Sequence, residues 1–258
     1  MIGDKLASAM QLYGNPSCIN TAKALQTAAE KGVDIETHDI NSGEEAGDIS
    51  PLHSAPVLKD LDNVVYGLDD AKMQILQMVG QWIANPNSLG TAIAVKGPPG
   101  TGKTTLIKEG VSKILNRPFA FLALGGATDS SYLEGHSYTY EGSLWGKIVD
   151  ILLNCKCMNP VIYFDELDKI SDTPKGEEIA GILTHLTDTT QNDKYHDKYF
   201  SNIDFNLSKA MFIFSYNDEK KINPILKDRM YRIETGGYEN KQKCVIANDY
   251  LIPKIQEN

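Results

Sequence analysis

Residues 97 to 104 read GPPGTGKT, preceded by a short apolar run, Thr91 to Val95, and followed by a helix-forming stretch from Lys103 to Leu115. A buried strand that enters a glycine-bounded loop and leaves as a helix points to an α/β chain whose loop is built around an anion. Gly97 and Gly102 allow the positive φ values and the close backbone approach that side chains would block, so that N–H groups turn inward. Lys103 supplies a point charge for the β and γ phosphates. Thr104 supplies a hydroxyl for Mg²⁺, and the helix opening there aims its positive end at the anion. The expected phosphate cradle is the run Gly97, Pro98, Pro99, Gly100, Thr101, Gly102, Lys103, Thr104 and Thr105, with ATP and Mg²⁺ as its ligands.

Further along, Val161-Ile162-Tyr163-Phe164 ends abruptly in Asp165-Glu166. An apolar run of strand length that stops at two acids reads as a buried parallel strand delivering carboxylates to the C-terminal edge of a sheet. Asp165 is expected to hold Mg²⁺ through water and Glu166 to polarise the water that attacks the γ-phosphate. Two acids after such a run also suit a strand end meeting solvent; the phosphate loop upstream decides for catalysis. Strand patterns near Thr91, Phe119, Val161, Met211 and Tyr231 alternate with helical ones, which predicts a parallel five-stranded sheet covered by helices on both faces.

Composition narrows the classes that remain. The 258 residues suffice for one medium domain and a small one. A net charge of −9 with no basic patch argues against nucleic acid as the main partner. The four cysteines, Cys18, Cys155, Cys157 and Cys244, follow neither zinc spacing nor a disulfide framework, and the five histidines are scattered. Met1 to Ala9 lacks the blocks of a signal peptide, and no apolar run reaches membrane-spanning length, so a cytoplasmic address without a membrane partner is expected. Thr187 to Asp197 reads as a polar surface insertion and Ser171 to Gly176 as a loop.

From about Asn63 to Asn258 the chain resembles the ATPase module of Lon proteases, within the AAA+ superfamily. The resemblance rests on VVYGLDDAKMQIL, GPPGTGKTT, the glycine pair of FLALGGATD, LEGHSYTYEG, NPVIYFDELDK, FNLSKAMFIFSYND, PILKDRMYRIE and GYENKQKCVIANDYLIPK. It implies a three-layer P-loop NTPase sandwich over 61–235 and the start of a helical lid over 236–258, whose sensor arginine is not in the sequence. It implies an adenine pocket at Tyr66, Gly67 and Leu68, and a water-placing sensor at Asn217. Arg229 matches the arginine that reaches a neighbouring subunit's γ-phosphate, where an always-charged fork suits the developing charge; a solvated charge at a helix end is the plainer reading. Tyr140 falls on the aromatic pore loop that grips unfolded polypeptide, with Glu141 where that family has an apolar residue; Tyr138 and Tyr140 also read as ordinary hairpin aromatics. The resemblance implies ATP hydrolysis, a ring homo-oligomer, hexameric in that family, and protein substrates. Only twenty-odd residues follow Ile233, too few for a peptidase domain. A nucleotide-gated scaffold with little turnover, a fragment of a longer ATP-dependent protease, and a thiol-redox or glutathione-linked module in which the phosphate-loop part only assembles are the alternatives.

Residues 1–60 are a separate problem. A strand candidate at Met10 to Tyr13, a helical pattern through Lys31, a strand at Asp34 to His38 and a later Ala55-Pro56 look like the front half of a glutaredoxin or glutathione-transferase-like thioredoxin fold. Cys18 would then start a helix, where the dipole favours thiolate. Thr21 stands in the place of a resolving cysteine, which excludes a two-thiol cycle and leaves a docking domain or a single-thiol site as readings.

Overall fold

The structure is a computed structural model, and it describes residues 61–84, 92–127, 129–137, 139 and 142–256. The thioredoxin-like reading of 1–60, Cys18 within it, and the gripping pair Tyr140 and Glu141 lie outside the described residues.

Five strands form the central sheet: β1 Ala92–Lys96, β2 Phe119–Ala123, β3 Val161–Asp165, β6 Met211–Tyr216 and β7 Met230–Glu234. Their order is β2-β3-β6-β1-β7, and every neighbouring pair is parallel. This is the expected parallel five-stranded sheet. Successive strand residues point to opposite faces, and both faces are apolar. Ala94, Ile162, Phe164, Phe212 and Phe214 face one core, whereas Ile93, Val95, Tyr163, Ile213 and Ile233 face the other. Near-continuous apolar strands of this kind are what a sheet buried on both sides requires.

Helices cover the two faces. Helix α1, Asp69–Ala84, and helix α2 over 103–114 pack on the second core through Ala71, Ile75, Leu106, Ile107 and Val111. Helix α2 is α-helical at Lys103–Thr105 and Ser112–Ile114, with a π-helical stretch Leu106–Val111 between them. After the short α3, Ser131–Glu134, helices α4, Lys147–Cys155, and α5, Pro174–Thr187, pack on the first core. Short α6, Pro224–Asp228, leads into β7, and α7 begins at Asn240–Ile246 and runs through π-turns, Ala247–Leu251, into Ile252–Gln256. The result is a three-layer α/β/α sandwich followed by one helix.

Two local expectations are corrected. Ser171 to Gly176 is not all loop. Thr173 caps α5 by accepting from Gly176 N, and Pro174 occupies the first turn, where its missing N–H costs nothing. Thr187 to Asp197 is not wholly a surface segment either. It holds a 3₁₀ turn, Asn192–Lys194, and β4, Tyr195–His196, paired antiparallel with β5, Asp204–Phe205. Asn192, Tyr195 and Asp197 are buried there. Asp197 accepts from Gly146 N at 2.8 Å and Tyr199 N at 2.9 Å, fixing the residue that caps α4. Its burial outweighs these hydrogen bonds and pushes its carboxyl up to about 6.

Candidate nucleotide site

The phosphate loop leaves β1 at its C-terminal edge and turns into α2. Gly102 adopts φ 84° at the helix N-cap, a left-handed conformation natural to glycine. Gly97 passes so close to the end of β7 that a Cβ there would lie 1.9 Å from Thr235 Oγ1. The loop closes on itself through Thr101 Oγ1, which donates to Pro98 O at 3.1 Å.

Lys103 is buried, and its ammonium donates to Gly97 O at 2.7 Å, Pro98 O at 2.8 Å and Asn217 Oδ1 at 3.3 Å. Burial pulls its pKa below the usual lysine value, while the charges of Asp165 and Asp168 oppose that shift. The cation thus sits over its own loop carbonyls, in contact with the residue that follows β6. Thr104, one position on, donates from Oγ1 to the Tyr163 hydroxyl at 3.3 Å.

The two acids fall where a parallel strand ends. Asp165 closes β3, and its Oδ1 accepts from the Ser215 hydroxyl and from Glu166 N at 3.0 Å. Tyr163 is also hydrogen-bonded to Ser215, which links the Thr104 side chain to Asp165 through two buried hydroxyls of β3 and β6. Glu166 takes the left-handed conformation at φ 59°. Its carboxylate lies against Gly125, just beyond β2, where a Cβ would be 2.4 Å from Oε2. Pro99 to Thr105, Asp165, Glu166, Ser215, Tyr216 and Asn217 line one cleft of about 310 Å³. The donor set suits Mg²⁺, which takes one or two protein oxygens and completes its shell with phosphate and water: Thr104 brings a hydroxyl and Asp165 a carboxylate to the same cleft.

The segment 66–68 reaches the loop from the other side. Gly67 and Leu68 both have φ near 59°, and Leu68 O receives Lys72 N at the start of α1. The Tyr238 hydroxyl bridges Tyr66 O at 2.7 Å and Thr101 O at 3.1 Å, so the approach to α7, the glycine-bounded loop and segment 66–68 meet at one hydroxyl. Tyr250 of α7 donates to Asp62 O at 2.6 Å.

Arg229 does not line this cleft. It ends α6, and its Nη1 lies 2.5 Å from Asp188 Oδ2 at the end of α5. Sequence reasoning missed Tyr163 and Ser215 as polar links, Asp188, and Asp168, which is buried in the 3₁₀ turn Leu167–Lys169. Asp168 Oδ2 accepts from Asp218 N at 3.2 Å, joining the end of β3 to the end of β6, while its Oδ1 has no partner among the described residues. The signal for Asp168 was its place two residues past Glu166, on the same edge as the acids.

Residues 93–238 match the family model described as the ATPase family associated with various cellular activities. The chain is 40% identical over 203 residues to a Lon protease homolog of Acanthamoeba polyphaga mimivirus, covering 78% of this chain and 20% of that protein. It is 38% identical over 192 residues to the Lon protease of Clostridium acetobutylicum, covering 74% of this chain and 24% of the relative. With the peroxisomal Lon protease homolog 2 of Caenorhabditis briggsae it shares 37% identity over 194 residues, 75% of this chain and 25% of that one. The chain therefore spans a quarter or less of the length of these relatives. Among the described residues, no helix is long and apolar enough to cross a membrane.

Proposed function

The chain belongs to the ATPase family associated with various cellular activities, and from that membership we propose that it binds ATP with Mg²⁺ and hydrolyses it as the driving module of a Lon-like protein-remodelling machine. The observation that carries this reading is convergence: Lys103, Asp165, Glu166 and Asn217 come from three separate stretches of sequence and line one cleft.

On this reading the Lys103 ammonium exchanges the carbonyls of Gly97 and Pro98 for β- and γ-phosphate oxygens when nucleotide enters. Those carbonyls keep the cation in place beforehand, so little reorganisation is needed. Thr104 and Asp165, the latter through water, would hold Mg²⁺, and the ion would supply positive charge against the charge that develops on the phosphates. Glu166 orients and polarises the attacking water, and Asn217, next to Lys103, fixes where that water stands relative to the γ-phosphoryl. Tyr66, Gly67 and Leu68 take the adenine. Arg229 acts on the nucleotide of a neighbouring copy, since it stands away from its own cleft, and turnover therefore belongs to a ring, hexameric as first expected.

The reading extends to the parts outside the site. Residues 61–235 are the ATPase domain and 236–258 the beginning of a helical lid; the N-terminal domain expected over 1–60, with Cys18, lies outside the described residues. Tyr140 and Glu141 contact a protein substrate threaded through the ring, in the cytoplasm. No peptidase chemistry is assigned to the described residues.

Two variants test the core of the proposal. Lys103→Ala removes the cation and should abolish ATP binding in titration calorimetry, whereas Glu166→Gln should bind ATP as wild type does and lose turnover. Wild-type affinity in Lys103→Ala would refute the assignment of the loop.

A further inference from the structure

Arg229 is held by its own chain before any neighbour arrives. Asp188, the residue that ends α5, divides its carboxylate between two tasks. Oδ1 accepts from Thr190 N at 3.0 Å and Thr190 Oγ1 at 2.7 Å, closing a short turn. Oδ2 is left for Arg229 Nη1 at 2.5 Å. The carboxylate is thus fixed in direction by Thr190 before the arginine meets it. The guanidinium and the Thr190 hydrogen bonds together pull the Asp188 carboxyl down to about 2, so it is a carboxylate at neutral pH.

The arrangement fits orientation better than stability. Arg229 is 35% exposed, and an ion pair that open to water contributes little to folding. A long arginine side chain, free to sample many rotamers, is however costly to order at the moment of reaction. Contact at Nη1 restricts the side chain, and a guanidinium carries further N–H donors with which to meet an incoming anion.

Resting on the reading that Arg229 acts on a neighbouring copy's γ-phosphate, we propose that Asp188 is a positioning residue. It anchors one nitrogen of the Arg229 guanidinium and presents the remaining N–H groups to the neighbour's phosphoryl oxygens. The charge it places beside the guanidinium also opposes capture of stray anions, so that the fork engages only when a phosphoryl is brought up by assembly.

The test uses the full chain and Asp188→Asn. Asparagine keeps an Oδ1 acceptor for Thr190 and removes only the charge facing the arginine. Nitrogen-15 NMR of the arginine side chains, in nucleotide-free protein, reads the pairing directly. Wild-type Arg229 should show slowed rotation about its Cζ–Nη bonds, and Asp188→Asn should show averaged signals. In ATP turnover Asp188→Asn should lower kcat roughly tenfold, with ATP affinity and Tm unchanged. Added to Arg229→Ala, the same substitution should cause no further loss. Averaged Arg229 signals in wild type would overturn the proposal, as would a kcat in Asp188→Asn equal to or above wild type, or an equal loss in the Arg229→Ala background. If Arg229→Ala itself turns over ATP at the wild-type rate, the neighbour-acting reading fails and takes with it any role of Asp188 in turnover, while the NMR result separately decides whether Asp188 holds the guanidinium.

Discussion

Replacing Gly125 with alanine should separate catalysis from binding. A Cβ at this position would lie 2.4 Å from Glu166 Oε2 and 3.4 Å from Lys169 Cβ. Only the first of these is a collision, and its partner is the far end of a flexible side chain, so the fold can absorb the methyl by moving the carboxylate. Restoring ordinary contact at 3.4 Å requires a displacement of about 1 Å, and a misplacement of that size in a reacting group is worth about 10²-fold in rate. Gly125 lies outside the cleft that holds the phosphate loop, so ATP affinity should be unchanged. The expected outcome is a kcat about a hundredfold below wild type, with Tm and calorimetric ATP affinity as in wild type. The combination with Glu166→Gln should be no slower than Glu166→Gln alone, because both changes act through one carboxylate. A wild-type kcat in Gly125→Ala would refute the idea that the end of β2 sets the position of Glu166; a large fall in Tm would show that the methyl displaces backbone and not the carboxylate.

Gly97→Ala should behave in the opposite way. There the added carbon meets Thr235 O, a backbone atom, at 2.7 Å as well as Thr235 Oγ1 at 1.9 Å, so β1 and β7 must part; a loss of about 1–3 kcal/mol in denaturant unfolding is expected, and unchanged stability would contradict the close approach. On the acid side, Glu219 gathers Lys227, Lys96 and Arg232 around one carboxylate, and hydrogen bonds from Lys227 and then Lys96 pull its pKa from 4.5 to about 2. A depressed folded pKa gives stabilisation that is present above the unfolded value and lost as pH falls through the folded one. The Tm advantage of wild type over Glu219→Gln should therefore be constant above about pH 5 and shrink toward zero near pH 2; an advantage independent of pH down to 2 would remove the ion-pair explanation.

The phosphate loop was legible because all its parts are contiguous: strand, glycines, lysine and hydroxyl follow one another, and each has a local physical reason. The acids at the end of β3 were legible for the same reason, as an apolar run that stops. What escaped depends on pairing across the sheet. Ser215 and Asp165, or Asp218 and Asp168, lie 50 positions apart, and nothing in either segment announces the other. Polar composition misled at 187–197, where Asn192, in the turn before β4, and Asp197, just after it, are buried; the signal against a surface loop was aromatic, in Tyr195, Phe200 and Phe205, which join the first core. At 171–176 the start of α5 could have been read from Thr173-Pro174, an N-cap followed by the residue that suits the first helical turn.

The cross-sheet ties also explain how the site divides its labour. In the order β3-β6-β1, Asp165 is joined to Ser215, Asp168 to Asp218 and Lys103 to Asn217. These bonds bring the residues expected to hold Mg²⁺, orient water and meet phosphate into one unit on three adjacent strand ends. A shift of Asn217 is therefore felt by Lys103 on one side and, through Asp218 and Asp168, by the turn that follows Glu166 on the other. Arg229 hangs from a different frame. Helix α6 is tied to β1 and β7 through Glu219, which holds Lys227, Lys96 and Arg232, and the Arg229 guanidinium is tied to α5 through Asp188. The residues proposed to activate water and the arginine proposed to meet a neighbour are thus held by different side-chain partners, and the two sets adjoin at Asp218 and Glu219. Perturbing one should leave the other's local geometry intact, which is the condition under which Glu166→Gln and Arg229→Ala, mixed in one assembly, restore partial turnover at interfaces that pair an intact Glu166 with an intact Arg229. A mixture that stays inactive while wild type is assembled and active would mean that the two systems do not serve neighbouring copies.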